Sequence, residues 1–157
     1  MLTFDHVQGR FNYRTVGVIY HDHHVLLHRA DYESFWSLPG GRVEFAESAQ
    51  AALVRELREE LGVAASIERL LWVVENFYEY SQQRHHEIAF YFLVSLPPNA
   101  AICRQDTPFI GDEPGVVLIF QWFPVDQLET VDLYPSFLRQ ALQRLPSGIE
   151  HIVHHDQ

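Results

Sequence analysis

Short runs of apolar residues, separated by polar turns, define the first part of the chain. Arg14 to Tyr20 and Val25 to Arg29 are rich in β-branched and other apolar residues, and His21 to His24 separates them. This pattern predicts two strands joined as a hairpin. Pro39-Gly40-Gly41 then predicts a sharp break in the chain.

The strongest helical signal lies between Glu47 and Leu61, where no proline or glycine interrupts a run rich in Ala, Leu, Glu and Arg. These residues favour helices. Gly62 follows at the position where a C-terminal cap belongs. We therefore predict a helix over 47–61.

A projection of this helix at about 100° per residue divides it into two adjoining arcs. The apolar arc, which predicts contact with a core, consists of Leu53, Val54, Leu57 and Leu61. The acidic arc consists of Glu56, Glu59 and Glu60. Ala49 and Ala52 project onto the acidic arc one or two turns earlier, so we expect room for a ligand there.

Two longer apolar and aromatic segments follow the helix. Ile67 to Tyr80 and Ile88 to Leu96 predict paired strands across a loop that contains Ser81 to His86. A long irregular connection, Pro97 to Gly115, then precedes a predicted strand over Val116 to Phe123.

The last predicted element is an amphipathic helix over Leu133 to Leu145, where apolar residues recur at helical spacing. Strands and helices thus mix without a βαβα alternation. This order predicts an α+β fold, in which a mixed β-sheet has helices packed on its faces.

Length and composition fit this prediction. The chain has 157 residues, of which 47% are hydrophobic, so we expect a single domain over residues 1–157. The longest apolar run, Ile88 to Val94, is far shorter than the roughly 20 residues of a membrane-spanning helix, so we expect no membrane partner. The N-terminus lacks a secretory pattern and Cys103 is the only cysteine, so we expect a cytoplasmic protein.

The charge balance indicates the kind of partner. Twenty-one acidic residues against eleven basic ones give a formal charge of −10, which makes nucleic acid an unfavourable partner. A small phosphate-bearing molecule could still bind if a divalent cation stood between its oxygens and the carboxylates of the protein. The sequence is also compatible with a homodimer.

The acidic arc is a natural place for such a cation. At about 5 Å and an effective dielectric near 20, each pair of glutamates repels by roughly 3 kcal/mol. Magnesium would relieve this repulsion through oxygen ligands. On the three glutamates alone, a solvated acidic helix face is the simpler interpretation.

The wider spacing favours the metal site. It comprises Gly41, five residues, Glu47, seven residues, then Arg55-Glu56-Leu57-Arg58-Glu59-Glu60-Leu61-Gly62-Val63. This resembles the Nudix box, G-x5-E-x7-R-E-U-x-E-E-x-G-U with U aliphatic, at every fixed position. A chance match has a probability on the order of 10⁻¹⁰ per starting point.

The resemblance implies a Nudix hydrolase, with an α/β/α sandwich and the box helix on one face of a mixed sheet. It implies hydrolysis of a pyrophosphate bond in a nucleoside diphosphate linked to another group, with magnesium or alternatively manganese. The implied metal-binding residues are Gly41, through its backbone carbonyl, and Glu56, Glu59 and Glu60. Arg55 would brace the carboxylates, and Glu47 would hold the loop on the helix.

The general base and the substrate contacts are less defined. Glu56 is one candidate base, and Glu113, in the long connection, resembles the extra loop carboxylate of several family members. Glu44 and Glu87 stay open as further candidates. Tyr80 lies about 17 positions past the box, as does a tyrosine of diadenosine polyphosphate hydrolases, although aromatics in strands usually pack in cores. Arg14 and Arg84 could meet a phosphate or ribose, or be surface charges.

Three other functions fit the sequence less well. A catalytically silent Nudix-like nucleotide-binding or regulatory module would be expected to have lost carboxylates, and none is missing. An isoprenoid diphosphate isomerase needs a positioned cysteine, and Cys103 lies far from the box in sequence. Hydrolysis of RNA 5′ ends fits poorly with the charge of −10.

Overall fold

Strands make up most of the fold in this computed structural model, which describes residues 1–156. The strands are β1 (Thr3–His6), β2 (Gly9–His21), β3 (His24–Ala30), β4 (Gly40–Arg42), β5 (Ser66–Tyr80), β6 (Gln83–Ser95), β7 (Phe109–Gly111), β8 (Leu118–Pro124) and β9 (Glu150–His155). The α-helices are α1 (Ala49–Leu61) and α2 (Leu138–Ala141), and the 3₁₀ helices are Ala101–Arg104 and Val125–Thr130.

All nine strands belong to one mixed sheet. Its order is β7-β8-β3-β2-β6-β5-β9, and β1 and β4 also pair with β2. The pairs β2–β6 and β5–β9 are parallel, whereas the other pairs are antiparallel. The predicted β2–β3 hairpin forms, but its strands pair only at Tyr20–Val25 and His21–His24. Strands β2 and β3 therefore separate beyond these two pairs, and the rest of β2 pairs with β6 and β4.

Side chains from alternate strand positions fill two separate cores, because neighbouring residues of a strand point to opposite faces. On one face, α1 packs over a core that includes Leu26, Leu53, Leu57, Phe92 and Phe120. On the other face, the Val125–Thr130 helix and α2 cover a core that includes Trp72, Leu128, Leu133, Leu138 and Leu142. The sheet thus lies between two helical layers, which confirms the predicted α+β fold.

Helix α1 has well-defined caps. Ser48 accepts a hydrogen bond from the Ala51 N–H, and Gly62, with φ 66°, donates to the Arg58 carbonyl. The helix begins two residues later than predicted because Glu47 belongs to the preceding loop, where its side chain accepts the Glu44 N–H. None of the helices within residues 1–156 is long and apolar enough to cross a bilayer.

The predicted helix over Leu133 to Leu145 is wrong in extent, since only Leu138–Ala141 is α-helical. The Tyr134 N–H donates to Trp36, and the Ser136 N–H donates to the Asp156 carboxylate. The first third of the segment is therefore tied to other elements before a helix can start. Its helical spacing still serves packing, because Leu138 and Leu142 are buried.

Other boundaries also differ from the sequence predictions. The predicted loop over Ser81 to His86 is only a two-residue turn, in which Ser81 and Gln82 have positive φ values. Inside the long connection lie a 3₁₀ helix and β7, and β8 begins at Leu118 because residues 113–116 form a turn. Four short strands, β1, β4, β7 and β9, were not predicted.

Candidate active site

Part of the acidic arc of α1 faces the sheet, whereas Glu59 is exposed to solvent. Ala49 and Ala52 are buried, and the Thr15 hydroxyl of β2 donates to the Ala49 carbonyl at 2.7 Å. The small side chains thus allow α1 to lie close to β2, and they do not leave the open room that the projection predicted. Glu60, on the same arc, is only 5% exposed.

Three carboxylates converge at this buried position. Glu56 and Glu60 come from α1, and Glu113 comes from the loop between β7 and β8. One oxygen atom of each lies within 4.8 Å of the other two. The loop is held in place because the Asp112 N–H donates to the Glu60 carbonyl at 2.8 Å. Glu113, named from the sequence as a candidate, is thus brought to the site.

The three carboxylates repel one another at low solvent exposure. Burial, together with the charges of Glu56 and Glu113, raises the pKa of Glu60 to about 9. Burial and Glu56 also raise the pKa of Glu113. Within the described part of the chain, the buried Glu60 Oε2 has no hydrogen-bond partner. An unpaired buried acceptor among oxygen ligands fits a hard divalent cation.

The position of Gly41 explains why this residue is a glycine. Gly41 pairs with Thr15 in the β4–β2 ladder. A methyl group in place of its hydrogen would overlap the Glu56 carboxylate. The backbone of β4 therefore lies directly against one of the three converging side chains.

Arg55 connects the loop before α1 to the acidic site. Its Nε and Nη2 atoms lie 2.8 and 2.9 Å from the two Glu47 oxygens, and its Nη1 lies 2.9 Å from Glu56 Oε1. The hydrogen bonds from Arg55 lower the pKa of Glu47 to about 2. These contacts fit the bracing roles that the resemblance implied for both residues. Glu59, with a 58% exposed side chain, lies 3.4 Å from Arg55 and outside the converging group.

The pKa of Glu60 leads to a prediction about the metal-free protein. The folded protein keeps the Glu60 proton up to about pH 9, whereas the unfolded chain loses it near the ordinary value of 4.5. The proton that only the folded state keeps therefore stabilises the fold fully below pH 4.5. Its contribution to the free energy of unfolding falls as pH rises towards 9, by at most about 1.4 kcal/mol per pH unit. Urea unfolding in EDTA between pH 5 and 9 measures the slope, and Glu60→Gln should flatten it. Equal slopes in the two proteins would contradict the assignment.

A cleft of about 660 Å³ opens on the face of the sheet opposite α1. Its lining includes Arg10, Arg14 and Arg42 from β2 and β4, Asn76, Tyr78, Tyr80 and Glu87 from β5 and β6, and Phe35 and Tyr134 from loops. Strand β4 links the cleft to the carboxylates, because Arg42 lines the cleft and the adjacent Gly41 touches Glu56.

The substrate residues named from the sequence fall into two places. Arg14 and Tyr80 line the cleft, whereas Arg84 lines a second groove, which shares lining residues such as Tyr78 and His85 with the cleft. Glu44 is exposed and pairs with the N-terminal amine. Glu87 is 6% exposed at the cleft, where its Oε1 accepts from the Tyr78 hydroxyl at 3.4 Å and lies 3.7 Å from Arg14 Nε.

Sequence reasoning missed Arg10, Arg42 and Asn76. A signal for one of them was present, because Arg10, Asn12 and Arg14 alternate along β2 and so share one face of the sheet. Arg42 could not be placed from the sequence, since Pro39-Gly40-Gly41 predicted a break in the chain and not the strand β4. Asn76 stands in a long apolar strand, where a single amide gives no pattern.

The chain is similar in sequence to known proteins. A family model described as NUDIX domain matches residues 12–145. Over 128 residues the chain is 38% identical to diphosphoinositol polyphosphate phosphohydrolase 2 of Rattus norvegicus, covering 81% of this chain and 64% of that protein. Over 81 residues it is 30% identical to putative ADP-ribose pyrophosphatase YjhB of Bacillus subtilis, covering 51% of this chain and 39% of that protein. The chain thus spans less than two thirds of the length of either relative.

Solved structures share the fold. An ADP-ribose pyrophosphatase from Streptococcus suis superimposes with a TM-score of 0.61 and 18% sequence identity, covering 91% of this chain and 98% of that one. At this identity the likeness concerns the sheet and its helical layers alone.

Proposed function

Since this chain belongs to the NUDIX domain family, we propose that it is a metal-dependent pyrophosphohydrolase that cleaves a nucleoside diphosphate linked to a further group. The observation that carries the proposal is the convergence of Glu56, Glu60 and Glu113 within 4.8 Å, with an unpartnered buried oxygen on Glu60. The adjoining cleft supplies arginines for phosphate groups and has the volume of a small-molecule site.

Magnesium is the proposed cofactor, with manganese as the alternative ion. The Glu56, Glu60 and Glu113 carboxylates and the Gly41 carbonyl would hold it, and Glu59 would act at the margin. When bound, such a cation neutralises phosphate charge and polarises the phosphorus centre. Arg55 contributes by fixing Glu56 through the 2.9 Å hydrogen bond.

The remaining chemistry is assigned to side chains of the chain itself. Glu113 is the proposed base that takes a proton from the attacking water, because its pKa is raised and it lies on a loop at the edge of the site. Glu56 stays the second candidate. Arg14 and Arg42 would orient the phosphate oxygens, and Tyr80 would contact the remainder of the substrate. Arg84 does not line this cleft but lines the neighbouring groove, so it would act only on a part of the substrate that extends into that groove.

The function is tested with purified protein, magnesium and a panel of pyrophosphates. The panel comprises a diadenosine polyphosphate, a nucleotide sugar, ADP-ribose and a nucleoside triphosphate. We expect release of a nucleoside monophosphate from at least one of them and its loss in EDTA. If no compound is cleaved while calorimetry detects tight nucleotide binding, the protein is the silent binding module instead.

Arg14→Lys should weaken substrate binding. Lysine keeps the charge beside the buried Glu87 but loses the planar guanidinium that suits phosphate oxygens. We expect KM to rise by about 10-fold, with a smaller change in kcat. The matched control is Arg104→Lys, since Arg104 is exposed in the 3₁₀ helix over 101–104. Equal KM values for the two variants would remove Arg14 from the substrate site.

We also propose a small-molecule substrate in preference to nucleic acid, which the formal charge of −10 supports. The cytoplasm is the proposed location, supported by the single cysteine.

A further inference from the structure

The cleft has one basic side and one acidic side. Arg10, Arg14 and Arg42 line it from β2 and β4. Five acidic residues also line it: Glu87 lies beside Arg14, and what we call the acidic side consists of Glu33, Glu79, Asp132 and Asp156. Glu33 is fixed on that side because it accepts the Tyr80 hydroxyl at the end of β5 at 2.9 Å, and Asp156 follows β9. Since β6 separates β2 from β5, the backbones of these two strands are about 10 Å apart.

One arginine of the basic side, Arg42, lacks an anionic partner within residues 1–156. Arg10 is paired with Asp5, and Arg14 lies 3.7 Å from Glu87. Arg42 is the cross-strand partner of Arg14, and no carboxylate within residues 1–156 lies at ion-pair distance from it. Burial and the neighbouring arginines lower the pKa of Arg42. An anionic group bound here would relieve the repulsion between Arg14 and Arg42.

The acidic side needs hydrogen-bond donors. Glu33 accepts the Ala30 N–H and the Tyr80 hydroxyl, yet no cationic group in the described chain pairs with its charge. Between the two sides, Asn76 borders the cleft from β5 and is 4% exposed. Its Oδ1 has no hydrogen-bond partner within residues 1–156. The floor of the cleft thus offers an unused acceptor beside an unneutralised carboxylate.

We infer that the cleft selects a diphosphate whose further group is uncharged and rich in hydroxyl or amino groups, and rejects one whose further group carries additional phosphates. The diphosphate lies along the basic side, and the donors of the further group face Asn76 and Glu33. Ring phosphates would lie against the acidic side, where like charges repel. The repulsion is strongest at Glu33, since Asp132 pairs with Arg139 and Asp156 is bonded to Ser136 and His154. This inference rests on the proposed hydrolase function and narrows its substrate class.

The test compares ADP-ribose with a diphosphoinositol polyphosphate whose other ring positions all carry phosphate. The wild-type protein should hydrolyse ADP-ribose with at least a 10-fold higher kcat/KM. Glu33→Gln keeps the shape of the side chain and removes its charge. It should lower KM for the inositol compound by roughly 5-fold and raise KM for ADP-ribose. A purely structural role of Glu33 would move both KM values in the same direction.

The control is Glu129→Gln, an exposed residue that does not line the cleft, which should leave both KM values unchanged. Equal or better hydrolysis of the inositol compound by the wild-type protein would overturn the inference and leave the hydrolase proposal intact. If neither compound is cleaved, equilibrium binding decides. Tighter binding of ADP-ribose than of the inositol compound would then support the inference about the cleft. Binding of neither compound would overturn that inference, whereas the hydrolase proposal is decided separately by the four-compound panel.

Discussion

Glu60→Gln should abolish nearly all hydrolysis, with a fall in kcat on the order of 10³-fold, or about 4 kcal/mol of transition-state stabilisation. Glu60 is the most buried of the three converging carboxylates, and its Oε2 has no protein partner within residues 1–156. Glutamine keeps the volume but supplies a neutral oxygen or an N–H in place of a charged ligand. The measurement is the steady-state rate with magnesium on whichever panel compound the wild-type protein cleaves.

The fold should survive this substitution. Near neutral pH the metal-free protein keeps Glu60 protonated, so glutamine closely resembles the side chain that is already present. The unfolding temperature in EDTA should therefore equal that of the wild-type protein or exceed it. Added magnesium should raise the unfolding temperature of the wild-type protein but not that of the variant. A variant that folds, retains wild-type turnover and gains the same stability from magnesium would contradict the assigned role of Glu60.

Gly41→Ala should have the second largest effect. The added methyl group would overlap the Glu56 carboxylate, which is a side chain that can move aside. We expect the fold to persist, the carboxylate to be displaced, and kcat/KM to fall by about 10²-fold. Kinetics and a thermal melt of the same sample measure both effects.

Two other glycines serve as comparisons. Gly148→Ala is the matched control, because an added methyl there meets no atom within 4 Å and should change neither activity nor stability. Gly40→Ala should instead destabilise the fold, since its methyl would overlap the backbone of Thr15 and Val16 in β2. If Gly41→Ala retained full activity, the close packing of β4 against Glu56 would not matter for function.

The parts of the fold that were predictable from the sequence are those whose signal is local. Helix α1 was found because its caps and its uninterrupted helix formers are contiguous, and β5 and β6 were found from dense β-branched and aromatic runs. By contrast, β9 pairs with β5, some 80 positions away in the chain, and its residues Glu150–His155 are mostly polar. Such an edge strand is defined by its partner and not by its own composition.

The predicted helix over 133–145 failed for a related reason. Helical spacing of apolar residues indicates which side chains face the core. In this segment those side chains face the core although only Leu138–Ala141 is helical. Hydrogen bonds to Trp36 and Asp156, both remote in sequence, decide the backbone of its first part.

The sequence predicted the part of the candidate site that lies on one turn of helix α1. Glu56 and Glu60 follow from the box spacing, and Glu113 could only be suggested, because a loop is positioned by tertiary contacts such as the Asp112–Glu60 hydrogen bond. The burial of the Glu60 side chain was also not predictable from the sequence. Ala49 and Ala52 indicated room on the acidic arc, but the sheet occupies it.

The central claim is that Glu56, Glu60 and Glu113 form one site for a divalent cation. The most direct test is calorimetric titration of manganese into the wild-type protein and into Glu60→Gln, Glu113→Gln and Glu129→Gln. We predict saturable binding by the wild-type protein and by Glu129→Gln, and affinities at least about 10-fold lower for Glu60→Gln and Glu113→Gln. Identical affinity and stoichiometry in all four proteins would contradict the account.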